Sequence, residues 1–393
     1  MAVAKKIQEF ASKSSWIRKM FEEGIIMKRK YGAENVFDFT LGNPNIPPPP
    51  EFKNVLQNLL DEEAPNVHGY MPNAGYDDTR AAVAGYIRTT QNIPLEKEHI
   101  VMTCGAAGAF NVALKVILDP LDEVIVSYPF FMEYRFYIDN ANGQMILVPT
   151  KNDFSLDLEA IEKAITEKTK VIILNSPNNP TGKIYDSASL AALADLLQKK
   201  NKQYGHTIYL LVDEPYREIV FDGIHVPSLL NSYPHCISAS SYSKTLSVPG
   251  ERIGYLAVNP AIDDYKNLMD GLALYNRVLG FVNAPAFMQR AIARMQGIYV
   301  DVAQYKKKRD LLCDGLLRAG YNISKPEGAF YLFLKTPIED DVAFVQALQK
   351  RQILAVPGQG FGGSGYIRLA FCVDDATIIR AMDGFAATLK DYQ

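Results

Sequence analysis

Short apolar runs alternate with helix-like stretches between about residue 51 and residue 260. The runs are rich in β-branched residues and show no regular polar alternation, which is typical of strands buried on both faces of a sheet. Strands that alternate with helices predict an α/β domain with a mostly parallel sheet. The predicted strands are 100–103, 124–127, 145–148, 171–174, 207–212, 236–239 and 254–258, and the helix-like stretches include 156–168 and 187–200.

A different pattern follows residue 286 and predicts a smaller α+β domain. It comprises a long helix-like region at 286–318, a strand at 328–334, a helix at 340–350 and a strand at 366–371. Near the N-terminus, an amphipathic helix at about 15–30 precedes a rigid run of prolines at 47–50, which we interpret as a hinge. We therefore predict a large domain, 51–285, and a small domain formed by 1–50 and 286–393, with an N-terminal arm.

The composition is that of an ordinary globular protein, with 48% apolar and 22% charged residues. The formal charge of −3 argues against nucleic acid or an anionic membrane as the main partner. No apolar run approaches the roughly 18 to 20 residues of a membrane span, and no signal peptide is visible. The four cysteines are scattered and no residue spacing indicates a metal site, so we expect a cytoplasmic protein without a bound metal.

A lysine and an aspartate each follow a predicted strand, at the sheet edge where α/β proteins bind ligands. Lys244 comes shortly after strand 236–239, and its amine could form a Schiff base; the alternative is a surface lysine that caps a loop. Asp213 ends strand 207–212 and needs a cationic partner such as a protonated pyridine nitrogen. A helix N-cap or a metal ligand is the alternative for Asp213.

The remaining motifs predict contacts with anions. The small residues after strand 100–103 would let backbone N–H groups approach a phosphate at a helix N-terminus, or would simply form a tight turn. Arg252 could grip a phosphate bidentately or form an ordinary salt bridge. The loop at 175–182 would present amides at fixed positions or serve only as a turn. Arg368, in the apolar strand 366–371, predicts a buried anion, either a substrate carboxylate or a structural acidic partner.

The order of these motifs resembles that of the fold-type I pyridoxal-phosphate (PLP) enzymes, and among them the class I/II aminotransferase family, which includes aspartate aminotransferase. The resemblance runs from about residue 37 to residue 371. Asn-Asn-Pro-Thr-Gly at 178–182, Asp-Glu-Pro-Tyr at 213–216, Ser-Tyr-Ser-Lys at 241–244 and Arg-Leu at 368–369 carry it. It implies a large domain with a mostly parallel seven-stranded sheet, a smaller α+β domain, and PLP as cofactor.

The resemblance also implies a role for each matching residue. Lys244 would hold PLP as a Schiff base and then move the substrate Cα proton, with Asp213 and Tyr216 as the other catalytic residues. Asp213 would pair with the pyridine nitrogen, and Tyr216 and Asn179 would bond the phenolate oxygen. The ring would stack on Phe131, and the phosphate ligands would be Gly105, Ala106, Ala107, Ser241, Arg252 and, from the neighbouring subunit, Tyr70. The substrate α-carboxylate would bind Arg368, Asn179 and the backbone of Gly42.

The predicted function is therefore a ping-pong aminotransferase that acts on an L-amino acid and a 2-oxo acid, as a homodimer with composite active sites. A C–S lyase or an amino-acid decarboxylase on the same fold is the alternative, because fold does not decide the reaction. A non-enzymatic PLP-binding regulator is a further alternative, disfavoured because no added basic DNA-binding region is visible. Arg277 is out of register with the arginine that reads a second substrate carboxylate in aspartate aminotransferase. The substrate side chain therefore stays open.

Overall fold

The computed structural model describes residues 3–12, 16–62 and 67–393, and three sheets organise this part of the chain. The strands are β1 (Phe37–Asp38), β2 (Ile100–Thr103), β3 (Glu123–Tyr128), β4 (Gln144–Pro149), β5 (Thr169–Asn175), β6 (Tyr209–Asp213), β7 (Cys236–Ser241), β8 (Gly254–Val258), β9 (Tyr331–Lys335), β10 (Ile353–Leu354), β11 (Val356–Pro357) and β12 (Tyr366–Ala370). The α-helices are α1 (Lys5–Ser12), α2 (Trp16–Tyr31), α3 (Pro50–Asp61), α4 (Asp77–Gln91), α5 (Gly105–Ile117), α6 (Glu133–Asn140), α7 (Leu158–Ala164), α8 (Ser187–Tyr204), α9 (Leu229–Ser232), α10 (Tyr242–Thr245), α11 (Tyr265–Val278), α12 (Ala286–Ala293), α13 (Val302–Arg318), α14 (Asp341–Gln349) and α15 (Asp375–Lys390).

The central sheet has seven strands in the order β2-β8-β7-β6-β5-β3-β4. Only β8 runs antiparallel to its neighbours β2 and β7, and every other pair is parallel. This sheet confirms the predicted mostly parallel, seven-stranded architecture, and each predicted strand between residues 100 and 258 is present. The carboxyl ends of β2, β5, β6 and β7 therefore lie along one edge of the sheet.

Helices cover both faces of this sheet, which explains the apolar character of its inner strands. Val124 and Val126 of β3 pack into a core with helices α5 and α11, whereas Ile125 faces a core with α4 and α8. Strand β4 departs from the prediction of burial on both faces, because it lies at the edge and leaves Gln144 and Leu147 exposed.

The smaller unit has an antiparallel sheet of β11, β12 and β9, and its core contains side chains of α13, α14 and α15. Strand β1 pairs in parallel with β10, so the segment after α2 belongs to this unit. The α+β character predicted for the C-terminal part is thus confirmed.

The long helix predicted at 286–318 is wrong, because the structure divides it into α12 and α13. Gly297, between the two helices, has a φ of +78°, a left-handed conformation that a continuous α-helix does not allow. Asp301 then caps α13, since its side chain accepts a hydrogen bond from Ala303 N.

Two predicted features near the N-terminus are refined. The helix expected at about 15–30 is α2, and Ser15 lies outside the described residues. The last proline of the 47–50 run is the first residue of α3, a position that proline favours. In the described part of the chain, no helix combines the length and apolar character needed to cross a bilayer.

Candidate active site

Most of the predicted site residues line one cavity at the carboxyl edge of the central sheet. The cavity has a volume of about 270 Å³. Its walls are formed by Leu41, Gly42, Ala106, Ala107, Phe110, Phe131, Tyr134, Tyr137, Asn175, Asn179, Asp213, Pro215, Tyr216, Ser241, Ser243, Lys244, Pro249, Arg252, Tyr331 and Arg368. The last residues of β5, β6 and β7 line the cavity from the central sheet, and the smaller unit contributes Tyr331 and Arg368 from β9 and β12.

Lys244 lies on α10, the short helix that directly follows β7. Its Nζ donates a hydrogen bond to the carbonyl oxygen of Gly42 at 2.8 Å. The pKa of Lys244 is lowered to about 8, with burial as the largest cause; the charges of Arg368 and Arg252 also lower it, and that of Cys372 raises it. A larger fraction of this amine is therefore neutral than in a surface lysine, which makes it a better nucleophile.

Asp213 is a buried carboxyl group with one satisfied oxygen and one unsatisfied oxygen. Tyr134 Oη donates to Oδ2 at 2.6 Å, whereas Oδ1 has no hydrogen-bond partner among the described residues. The pKa of Asp213 is raised to about 7, with burial as the largest cause; the hydrogen bond from Tyr134 lowers it, and the charge of Glu214 raises it. Such a group is costly unless a cation or a donor meets Oδ1.

The turn from β2 into α5 brings backbone close to a guanidinium. Gly105 has a φ of +71°, and a Cβ built on it would lie 3.0 Å from Arg252 Nη2. Arg252 is anchored by a hydrogen bond from Nη1 to the carbonyl oxygen of Pro249. The N-terminus of a 13-residue helix thus faces the cavity beside an arginine, an arrangement suited to a phosphate.

Arg368 is only 2% exposed and has no acidic partner in the described chain. Its Nη1 donates to Asn179 Oδ1 at 3.1 Å and its Nη2 to the carbonyl oxygen of Thr40 at 2.6 Å, while Nε is unsatisfied. The guanidinium lies between the rings of Tyr331 and Phe361, 4.6 and 4.7 Å from their centroids. A buried arginine whose charge is not neutralised by protein fits a substrate carboxylate better than a structural salt bridge.

Side-chain hydrogen bonds connect these groups. Asn175 donates through Nδ2 to the carbonyl oxygen of Asp213 and accepts from Asn179 N, so the loop after β5 is tied to the end of β6. Tyr216 Oη lies 2.9 Å from Tyr331 Oη. A Cβ at Gly42 would overlap the Tyr331 hydroxyl, so only glycine allows the backbone to pass this close.

Two predicted residues, Gly105 and Tyr70, do not line this cavity; Gly105 adjoins Arg252, whereas Tyr70 lies away from it. The side chain of Tyr70 is 94% exposed and lines a separate surface cavity with Phe281. This position does not contradict the prediction, because Tyr70 was expected to reach the phosphate of a neighbouring subunit.

The sequence reasoning missed two tyrosines of the site, Tyr134 and Tyr331. Tyr134 lies near the start of α6, three residues after Phe131, and Tyr331 opens an apolar strand, so both resembled core aromatics. A hydroxyl within an otherwise apolar buried segment was the available signal, because such a group needs a polar partner.

The residues present fit PLP. The unsatisfied Oδ1 of Asp213 matches a protonated ring nitrogen, and the buried amine of Lys244 matches an aldehyde carbon. The start of α5, with Arg252 beside it, matches a phosphate.

Comparisons with known proteins agree with this fit. The family model "Aminotransferase class I and II" matches residues 34–385. A probable aspartate aminotransferase of Methanocaldococcus jannaschii is 31% identical over 87% of this chain and 90% of its own. A probable aspartate/prephenate aminotransferase of Thermus aquaticus is 31% identical over 92% of this chain and 93% of its own. The crystal structure of an amino transferase from Eubacterium rectale superposes with a TM-score of 0.97, at 38% identity, over 100% of both chains.

These relatives carry aminotransferase names, so the lyase and decarboxylase alternatives are not favoured. The family match covers most of the chain and includes every motif that lines the cavity. The chain therefore belongs to the aminotransferase class I and II family and is a PLP-dependent aminotransferase.

Proposed function

We propose that Lys244, Asp213 and Tyr216 are the catalytic residues of this aminotransferase. The observation that carries the proposal is the pairing, in one cavity, of a buried lysine of lowered pKa with an aspartate that leaves Oδ1 unsatisfied. Burying either side chain without a partner costs free energy. A cofactor with an aldehyde would react with the lysine amine, and its protonated ring nitrogen would pair with the aspartate oxygen.

PLP, when bound, supplies a carbon that condenses with primary amines and a ring that accepts electrons. Lys244 Nζ would hold the cofactor and, when free, would take the proton from the substrate Cα. Asp213 Oδ1 would keep the ring nitrogen protonated. Tyr216 and Asn179 would bond the phenolate oxygen, and Phe131 would stack on the ring face.

The phosphate ligands in this proposal are the N-terminal residues of α5 and two side chains. Gly105, Ala106 and Ala107 offer backbone N–H groups at a helix N-terminus. Ser241 offers a hydroxyl from the end of β7, and Arg252 offers a guanidinium.

Arg368, Asn179 and the backbone of Gly42 bind the α-carboxylate shared by amino acids and 2-oxo acids. The free Nε of Arg368 supports this role, because the carboxylate would supply the missing acceptor and counter-charge. The carbonyl oxygen of Gly42 accepts from Lys244 Nζ, so the substrate and cofactor positions adjoin.

We further propose a homodimer with composite sites, located in the cytoplasm. Tyr70 is almost fully exposed beside a surface cavity of about 410 Å³. Leu274 and Val278 of α11 are exposed as well, and a second copy would cover such an apolar surface.

The four free cysteines support the proposed location in the cytoplasm, because free thiols are typical of a reducing compartment.

The two domains are also a proposal, with a boundary later than residue 285. Met288, Ile292 and Met295 pack in the core that lies against the central sheet, whereas Tyr305 and Leu312 pack in the core of the smaller unit. We therefore place the boundary between α12 and α13.

The experiment is a visible spectrum of the purified protein, alone and mixed with a panel of amino acids. The proposal expects a yellow protein that one class of amino acid bleaches and that a 2-oxo acid recolours. A protein that stays colourless with added PLP would contradict the role of Lys244. Colour that no amino acid bleaches would contradict the proposed substrate contacts.

A further inference from the structure

The hydroxyl of Tyr134 makes the one side-chain hydrogen bond to the Asp213 carboxylate within the described chain. Its Oη lies 2.6 Å from Oδ2, and both residues are buried. Tyr134 lies on α6, which the chain reaches through the loop after β3, 79 residues before Asp213. A bond of this length lies within the range of charge-assisted bonds, so it favours the ionised form of Asp213.

The phenol ring of Tyr134 is fixed on two sides. Phe110 of α5 stacks on it with centroids 5.1 Å apart and an interplanar angle of 27°. Phe131 meets its edge at 5.7 Å and 88°. Burial raises the pKa of Tyr134 well above its ordinary value, so the hydroxyl keeps its proton and acts as a donor. A hydroxyl held this firmly specifies where Oδ2 lies.

Fixing one oxygen of a carboxylate also orients the other. Because Tyr134 holds Oδ2, Oδ1 is the oxygen left for a ligand of the cavity that Asp213 lines. The other titratable groups that act on Asp213 do not replace this bond. Glu214 acts only through its charge, and Tyr137 and Tyr216 are coupled to Asp213 electrostatically.

We propose that Tyr134 is a positioning residue that holds Asp213 ionised and oriented, so that Oδ1 meets the ring nitrogen of PLP. The inference rests on the proposed role of Asp213. It adds a residue that acts on the cofactor only through another side chain. A tyrosine that only fills the core would pack in the same way without affecting the ionisation of Asp213. The tests must therefore separate the positioning role from a packing role.

The first test uses the apo-protein and needs no catalysis. Infrared spectroscopy of protein labelled with ¹³C-aspartate follows protonated carboxyl groups against pH, and the component absent from Asp213→Asn belongs to Asp213. Tyr134→Phe should move its titration midpoint up by about one pH unit or more, because a hydrogen bond to the charged form is lost. Tyr233→Phe is the matched control. Tyr233 is also buried and hydrogen-bonded, but it lies just before the first residue of β7, whereas the cavity lies at the carboxyl end of that strand. An unchanged midpoint in Tyr134→Phe would overturn the inference.

The second test is a double-mutant cycle on PLP affinity. Tyr134→Phe should raise the PLP dissociation constant by about tenfold or more in the wild-type background. In the Asp213→Asn background the same substitution should change it by less than about twofold, because the residue through which it acts is gone. Equal losses in both backgrounds would mean a structural role and would refute the proposal. If the wild-type protein binds no PLP, the proposed function fails, and the infrared test still decides whether Tyr134 controls Asp213.

Discussion

Three side chains, Lys244, Asp213 and Arg368, share one physical condition: each is an ionisable group whose burial disfavours its charged form. The pKa shifts of all three have burial as the largest cause. Burying such a group without a partner lowers the stability of the protein, and a bound ligand of opposite charge offsets that cost. The stability of the apo-protein and the affinity for ligands are therefore linked at these residues.

Asp213 should contribute less to the stability of the apo-protein as the pH rises from about 4 to about 7. Its pKa is about 7 in the folded protein, so between its unfolded and folded pKa values the unfolded chain binds fewer protons. The free energy of unfolding of Asp213→Asn relative to wild type should thus increase over this range, by about 4 kcal/mol in total. Equilibrium urea unfolding at several pH values measures it. A pH-independent difference between the two proteins would contradict the assigned pKa.

Removing the amine of Lys244 should abolish turnover. Lys244→Ala loses both the cofactor anchor and the proton acceptor, so we expect kcat to fall by at least about a thousandfold. The measurement is amino transfer with the amino acid identified by the spectral panel. Lys202→Ala, at an exposed position of α8, is the control and should leave the rate unchanged. Near-normal activity of Lys244→Ala would remove it from the mechanism.

Replacing Arg368 by lysine should weaken substrate binding although the charge is kept. An ammonium cannot reproduce the fork that contacts Asn179 and Thr40 while it grips a carboxylate. We expect KM for amino acid and 2-oxo acid to rise by about tenfold to a hundredfold. Arg380→Lys, on the exposed part of α15, is the matched control. An unchanged KM in Arg368→Lys would show that the carboxylate binds elsewhere.

At the scale of elements, the sequence predicts what local patterns determine and misses what distant packing determines. Continuous apolar runs marked every strand of the central sheet, and Lys244, Asp213 and Arg368 could be predicted because they follow or interrupt such runs. The edge position of β4 could not, because it depends on the order of strands far apart along the chain. The break between α12 and α13 had local signals in Gly297 and the Asp301 cap, which the prediction did not use. The hydroxyl contacts of Tyr134 and Tyr331 span 79 and 115 residues, which no local pattern reports.

A side chain at Gly105 should destabilise the junction of β2 and α5. The φ of +71° at Gly105 is strained for alanine, and a Cβ would crowd Arg252. We expect Gly105→Ala to cost about 1–2 kcal/mol of stability. We also expect it to weaken PLP binding. Gly85→Ala is the control: this glycine lies inside α4 with open space at its Cβ, so the change should stabilise the protein. Thermal unfolding measures the stability of the two variants, and PLP titration measures their affinity for the cofactor. Equal changes in both variants would contradict the proposed phosphate site at the start of α5.

At the scale of the whole molecule, the cavity of one chain is lined by every proposed contact residue except Tyr70 and Gly105. Gly105 adjoins Arg252, which does line the cavity. The smaller unit supplies Arg368 and Tyr331, and the central sheet carries most of the proposed cofactor residues, so both units line the cavity of the proposed substrate site. In the proposed dimer, a second subunit would bring one more hydroxyl, that of Tyr70, to the phosphate. Loss of Tyr70 from the second subunit should for this reason lower the affinity for PLP more than it lowers the affinity for the substrate carboxylate.

A hybrid dimer tests this composite arrangement directly. One subunit carries Lys244→Ala and the other carries Tyr70→Phe, with different affinity tags so that only hybrids are purified. If Tyr70 serves the neighbouring subunit, the Lys244 site of the hybrid receives an intact Tyr70, and one of the two sites should bind PLP and turn over as in wild type. If Tyr70 serves its own subunit, that site keeps the defect of Tyr70→Phe and no site is restored. Sedimentation of the wild-type protein supplies the control, because a monomer would contradict the dimer before any hybrid is made. The expected result is about half of the wild-type activity per dimer, with the PLP affinity of the active site unchanged.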